Sequence, residues 1–251
     1  MSAPQVVLEG VTRRFGDRTA VAPLSMTVDA GDRIGIVGES GSGKSTLARM
    51  IAGLDRPSGG TITIDGRTQT AWMSTTAGRR DLRRRIQLVA QDTTSTFDPR
   101  RTVRDALRTP ARLLGGHSGA RADAVAEEAV ADMGLPPAML DRHPHELSGG
   151  QRQRMAIARA MVVRPGLLVC DEAVSALDVS VQGAVLNRIV RYCREHGAGL
   201  LFVSHGLPAT AFATDDLLVM LHGHVVEHGR TGAVLSSPVH DHTAALVAAH
   251  A

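Results

Sequence analysis

Aromatic side chains are almost missing from this sequence: Phe, Trp and Tyr make up 2% of its 251 residues. Single-stranded nucleic acid is gripped by rings that stack on bases, so the shortage argues against a nucleic-acid partner. Cysteine is equally scarce. Cys170 and Cys193 cannot make a disulfide framework, and their rarity fits a reducing cytosol. No uncharged apolar run approaches the roughly 20 residues that a bilayer-spanning helix requires. The start, MSAPQVVLEG, has neither a basic n-region nor an apolar h-region, so no secretory leader is expected. A net charge of +3 is too small to argue for a polyanionic partner by itself. The sharpest shortage is lysine: of 28 Lys and Arg, a single residue is Lys, at position 44. An ammonium is a compact point charge and a guanidinium a planar fork, so the one ammonium marks a place to look.

What is present describes a globular chain. Hydrophobic residues are 43% and charged residues 21%, which excludes disorder, collagen and disulfide-scaffold classes. The length suits one large domain or two modest ones with a sizeable core.

Around Lys44 the order is strand, glycine loop, helix. Arg33 to Val37 is a short β-branched apolar run, and Gly38-Glu39-Ser40-Gly41-Ser42-Gly43-Lys44-Ser45 follows. From Thr46 a helical pattern places Leu47, Met50 and Ile51 on one face. This is the arrangement of a phosphate-binding P-loop. The glycines let successive N–H groups turn inward on an anion. The helix N-terminus adds unpaired donors. Lys44 can reach the outer phosphates and the Ser45 hydroxyl can ligate Mg²⁺.

Such a loop needs a carboxylate for the metal and a group to activate water. Leu167 to Cys170 reads as a buried strand with Asp171 and Glu172 at its C-terminal end, where ligands sit in open α/β sheets. Asp171 is assigned to Mg²⁺ through water, and Glu172 to polarising the attacking water. Leu147-Ser148-Gly149-Gly150-Gln151 is a second glycine turn, opening a helix with Met155, Ile157, Ala158 and Met161 on its apolar face. One nucleotide does not obviously need both helix N-termini of one chain. A simple resolution is a head-to-tail dimer, in which the glycine turn of one chain closes on the ATP held by the P-loop of the other.

LSGGQ, GESGSGKST and LLVCDE together resemble the signature, Walker A and Walker B segments of ABC-type ATPases, and the resemblance covers essentially the whole chain. It implies that Gln91, in IQLVAQD, is the Q-loop glutamine that touches Mg²⁺ or the attacking water and senses a membrane partner. It implies further that Ser175-Ala176-Leu177-Asp178 is the D-loop, that His205 contacts the γ-phosphate, and that Phe15 stacks on adenine. Thr46 belongs to the phosphate loop in the same way. QDTTSTFDPRRTV, DEAVSALDVSVQGAVLN and the tail SSPVHDHTAALVAA look like the oligopeptide/dipeptide/nickel importer branch. Two features depart from that branch: Gly206 stands where it usually has Asp, and the sequence ends at Ala251 where many members continue for tens of residues.

The expected fold is therefore α/β: a P-loop NTPase core with a β-rich N-terminal edge and an inserted helical subdomain. Residues 1–91 and 163–235 form the nucleotide-binding core, 92–162 the helical subdomain with LSGGQ, and 236–251 a short helical tail. Helices are expected over Thr102–Leu114, Ala120–Met133 and after Ser148. The resemblance implies an ATP-hydrolysing subunit with ATP and Mg²⁺, peripheral on the cytoplasmic face of the membrane. Its partners would be a second ATPase subunit (a copy or a different chain), integral membrane permease subunits and, indirectly, a solute-binding protein. The cargo class is peptides or nickel and metal chelates. The alternative is an ABC-type ATPase of a non-transport machine such as the phosphonate carbon–phosphorus lyase system. Arg79, Arg80, Arg83, Arg84 and Arg85 read as a solvated surface loop, or as a contact to an acidic loop of a membrane partner. The histidines, including His240, His242 and His250 in the tail, lack a zinc spacing with cysteines.

Overall fold

A computed structural model describes residues 3–175 and 177–249; Ala176 of the D-loop segment and His250 of the tail lie outside them. The N-terminal half runs β1 (Val6–Phe15), β2 (Arg18–Val28), β3 (Arg33–Gly38), α1 (Lys44–Ile51), β4 (Gly59–Ile64), β5 (Arg67–Thr68), α2 (Gln69–Met73), α3 (Thr76–Arg85) and β6 (Ile86–Val89). The helical middle follows as α4 (Val103–Leu113), α5 (Gly119–Asp132) and α6 (Gly149–Met161). The chain returns through β7 (Leu167–Asp171), α7 (Val179–His196), β8 (Gly199–Val203), α8 (Leu207–Ala213), β9 (Asp216–Leu221), β10 (His224–Arg230), α9 (Thr231–Ser236) and α10 (Asp241–Ala248).

Two sheets result. One is antiparallel with order β2-β1-β4-β5, and the other has order β10-β9-β3-β8-β7-β6. In the second, β3 runs parallel to β8 and β9, β7 is parallel to β8 and β6, and only β10 is antiparallel. Strands covered on both faces read as unbroken apolar runs, and every residue of β7 and β8 is buried. Alternation then divides them. Leu168, Cys170, Leu200 and Phe202 join a core shared with α4, α5, α6 and α7. Leu167, Val169, Leu201 and Val203 face α1 and the antiparallel sheet. The helices of the middle segment thus share one hydrophobic cluster with a face of the sheet. β9 and β10 are joined by His222 and Gly223, both at positive φ (48° and 84°), the backbone of a type I′ hairpin turn.

The arginine cluster departs from its expected form. It is helix rather than loop: α3 is capped by Thr75, whose hydroxyl accepts from Gly78 N at 3.0 Å. Arg83, Arg84 and Arg85 occupy its last turn, where cations oppose the negative end of the helix dipole. Only Gly78 and Leu82 of this helix are buried, so it carries almost no apolar period to read.

Both cysteines sit in the core cluster. Burial pushes the Cys193 thiol up to about 12 and drives Cys170 higher still. The thiolate is the reactive form. Neither cysteine is therefore expected to react with a thiol reagent at pH 8 in the native protein, and both should react after denaturation. Rapid labelling of the native chain would contradict this packing.

Candidate active site

The sheet delivers three strand ends to one place: β3 with the glycine loop, β7 with Asp171 and Glu172, and β8 leading to His205. The loop passes where side chains do not fit. At Gly38, φ is +146° and a Cβ would lie 2.1 Å from Met220 O; at Gly43, φ is +105° and a Cβ would lie 2.2 Å from Ala20 O. Glycine is required at both positions. Gly43 caps α1 without a side-chain hydrogen bond, so the first N–H groups of that helix stay available. The Ser42 hydroxyl is buried and has no hydrogen-bond partner among the described residues.

Lys44 is 5% exposed. Its Nζ donates to Gly38 O at 2.8 Å and Glu39 O at 2.7 Å, which leaves one of its three donors for an incoming oxygen. Burial lowers its pKa, and the charges of Glu172, Asp171 and Glu39 oppose that shift. Ser45 Oγ donates to Asp171 Oδ1 at 2.9 Å. Burial raises the Asp171 carboxyl and the neighbouring Glu172 charge adds to it, while the Ser45 hydrogen bond works the other way. A hydroxyl and a carboxylate side by side form a hard, oxygen-only donor pair. That chemistry fits Mg²⁺, which keeps several waters and takes few protein ligands.

Glu172 is the conformational outlier of the site. Its φ is +51°, a left-handed backbone that costs a non-glycine residue roughly 1–2 kcal/mol. Its N–H still bonds Val203 O at 2.9 Å, so strand pairing continues while the side chain is turned into the cleft. Gln91 Nε2 donates to Glu172 Oε2 at 2.7 Å, and His205 Nδ1 lies 3.6 Å from the same oxygen. Gln91, 81 residues from Glu172 in sequence, and His205 are thus brought onto one carboxylate.

Phe15, Arg18, Ala20, Ser40, Gly41, the residues from Gly43 to Thr46, Gln91 and Glu172 line an open cleft of about 400 Å³. Phe15 is half exposed, with the Arg13 guanidinium 4.4 Å from its ring centre. Arg18 carries no sequence signal, because its contact to this loop depends on hairpin register and leaves no local motif.

Among the described residues none of Ser148, Gly149, Gly150 and Gln151 lines this cleft. They form a separate N-terminus on α6, with Ser148 and Gly149 exposed and Gly150 and Gln151 half-buried. Ser148 Oγ accepts from Gln151 N at 3.3 Å, and Gln151 Oε1 accepts from Ser148 N at 2.9 Å. This reciprocal cap turns the Gln151 side chain back onto its own helix and leaves the Ser148 proton free to donate. A Cβ placed at Gly149 would meet nothing within 4 Å, so the N–H side of the turn is open. Asp178 is exposed at the start of α7. In the tail, the His240 ring accepts from His242 N at 3.0 Å, and His242 Nδ1 lies 3.9 Å from Glu39 Oε1.

A parallel sheet presenting a glycine loop, a metal-ready hydroxyl–carboxylate pair and a glutamate held by an amide defines a P-loop nucleotide-binding cassette. The sequence profile of the ABC transporter family matches residues 21–175. A probable peptide ABC transporter ATP-binding protein, y4tS of Sinorhizobium fredii, is 41% identical over 230 residues, 92% of this chain and 65% of that protein. The oligopeptide transport ATP-binding protein OppF of Escherichia coli is 40% identical over 238 residues, 92% of this chain and 69% of that one. The ATP-binding cassette MJ0796, solved as a post-hydrolysis dimer with ADP and Pi, superposes with a TM-score of 0.82 at 26% identity, covering 90% of this chain and 98% of its own. The chain spans about two thirds of the length of the curated relatives it matches. It belongs to the ABC transporter family and carries that family's ATPase cassette.

Proposed function

We propose that this chain binds and hydrolyses ATP to energise an importer of peptides or of nickel and metal chelates, peptide being the cargo in the relatives' names. The observation that carries the hydrolytic reading is the Gln91–Glu172 bond at 2.7 Å, placed in the same cleft as Lys44 and Ser45. Adenine rests on Phe15. The phosphates lie along Gly38, Glu39, Ser40, Gly41, Ser42, Gly43, Lys44, Ser45 and Thr46. Ser45 and Asp171 would hold Mg²⁺, with Gln91 as a further candidate ligand, and the ion would supply charge to offset that developing on the phosphoryl oxygens.

Two subunits close head to tail, and Ser148 and Gly150 of one donate to the γ-phosphate held by the other. Closure removes water, which strengthens each of these interactions. Glu172 orients a water and draws on its proton as the oxygen attacks the γ-phosphorus. The bond to the bridging oxygen breaks, giving ADP and phosphate, and His205 supports the γ-phosphate. Phosphate loss reopens the pair. No helix of the described residues is long and apolar enough to cross a membrane; the motion acts on separate permease subunits. Their seat is assigned to the groove beside β6, where Leu54 and Leu113 are more than half exposed and Arg83 and Arg159 also line the wall.

The test is co-purification and reconstitution. ATP turnover should rise when the chain is assembled with multi-spanning subunits and a peptide-loaded binding protein. Turnover tied instead to a soluble enzyme complex would overturn the transport reading.

A further inference from the structure

Arg18 has no role in the mechanism above, yet it is placed between the two ends of the proposed nucleotide site. Its Cα pairs with that of Phe15 across the β1–β2 hairpin. Its Nη2 donates to Gly41 O at 3.3 Å. The side chain therefore reaches from the strand position facing the adenine-stacking ring to the phosphate loop, and it lines the same cleft. That one bond uses one of five guanidinium donors, and no ion pair engages Arg18 among the described residues. Its neighbour Arg13 is differently employed, lying over the Phe15 ring. The cations that line the cleft are thus Lys44, at the inner end of the loop, and Arg18, at its outer end.

A nucleotide with its base on Phe15 and its phosphates along the loop must carry its ribose and α-phosphate past the outer end of the loop, where Arg18 also lines the cleft. We propose that Arg18 binds the α-phosphate, bracing Gly41 with one donor and meeting a phosphate oxygen with the others. The fork geometry of a guanidinium suits that contact, and a positive charge there offsets the phosphate nearest the sugar, while a P-loop lysine serves the outer phosphates. This rests on the cleft being an adenine-nucleotide site.

The experiment is titration of the full chain, wild type and Arg18→Ala and Arg18→Lys, with ADP and ATP, combined with ³¹P spectra of the bound nucleotide. Removing a charged hydrogen bond of this kind should weaken both ligands roughly 10-fold or more. The α-phosphorus resonance should move most, and Arg18→Lys should recover part of the affinity because the charge is kept. Unchanged affinity in Arg18→Ala would overturn the proposal. So would a loss in which the β and γ resonances move and the α resonance does not, since Arg18 would then act only through the loop. If the wild-type chain shows no saturable binding of either nucleotide, the reading of the cleft itself fails, and that outcome is separate from both.

Discussion

Glu172→Gln is expected to lower ATP turnover of the assembled complex by about 10²–10⁴-fold, the usual worth of a positioned general base, while Mg-ATP still binds. Three features of the site set this expectation. The carboxylate stands at the end of β7 on a positive-φ residue that lines the cleft, and the Gln91 hydrogen bond holds it there. Oε2 is already engaged by Gln91 and approached by His205, which leaves Oε1 as the acceptor for a water. The metal pair is made by Ser45 and the preceding residue, Asp171, so the substitution leaves it intact. Glutamine keeps the shape and loses the acceptor charge. Turnover is read as phosphate release and binding by titration. Wild-type hydrolysis in the assembled complex would remove Glu172 from the base role.

Lys44→Ala is expected to weaken ATP binding by roughly 10–150-fold, corresponding to about 1.5–3 kcal/mol for a hydrogen bond to a charged group. Burial lowers the Lys44 pKa, and the three carboxylates Glu172, Asp171 and Glu39 oppose that shift by favouring the charged form. Two of its donors keep the loop carbonyls of Gly38 and Glu39 in place, so alanine removes both a phosphate contact and an internal brace. Lys44→Arg should not rescue binding. A planar fork does not fit a site that is 5% exposed and shaped around a tetrahedral head. Unchanged ATP affinity in Lys44→Ala would show that this lysine is not the phosphate lysine.

The P-loop, the Asp171–Glu172 pair and the capped turn at Ser148 were legible because each is local. A few residues at fixed spacing produce a glycine turn, a strand end or a helix start, and neighbouring periodicity says which. Gln91 and His205 were reached only through resemblance, since their meeting on Glu172 depends on three strands closing side by side. Arg18 could not be read at all. Its meaning comes from standing opposite Phe15 in a hairpin and touching a loop 23 residues away. α3 was misread for the opposite reason: a helix that buries little besides Leu82 shows no apolar stripe, and its caps are weaker signals than its charge.

The central claim is that the glycine turn at Ser148 serves a nucleotide held by another subunit. In this chain Ser148 and Gly149 of the turn are exposed, and the turn is absent from the cleft's lining. The direct measurement is a structure of the assembled Glu172→Gln complex with ATP and Mg²⁺. Ser148 Oγ and Gly150 N of one subunit should lie within about 3 Å of γ-phosphate oxygens in the P-loop of its partner. Filled P-loops with residues 147–151 turned to solvent in every assembled state would contradict it.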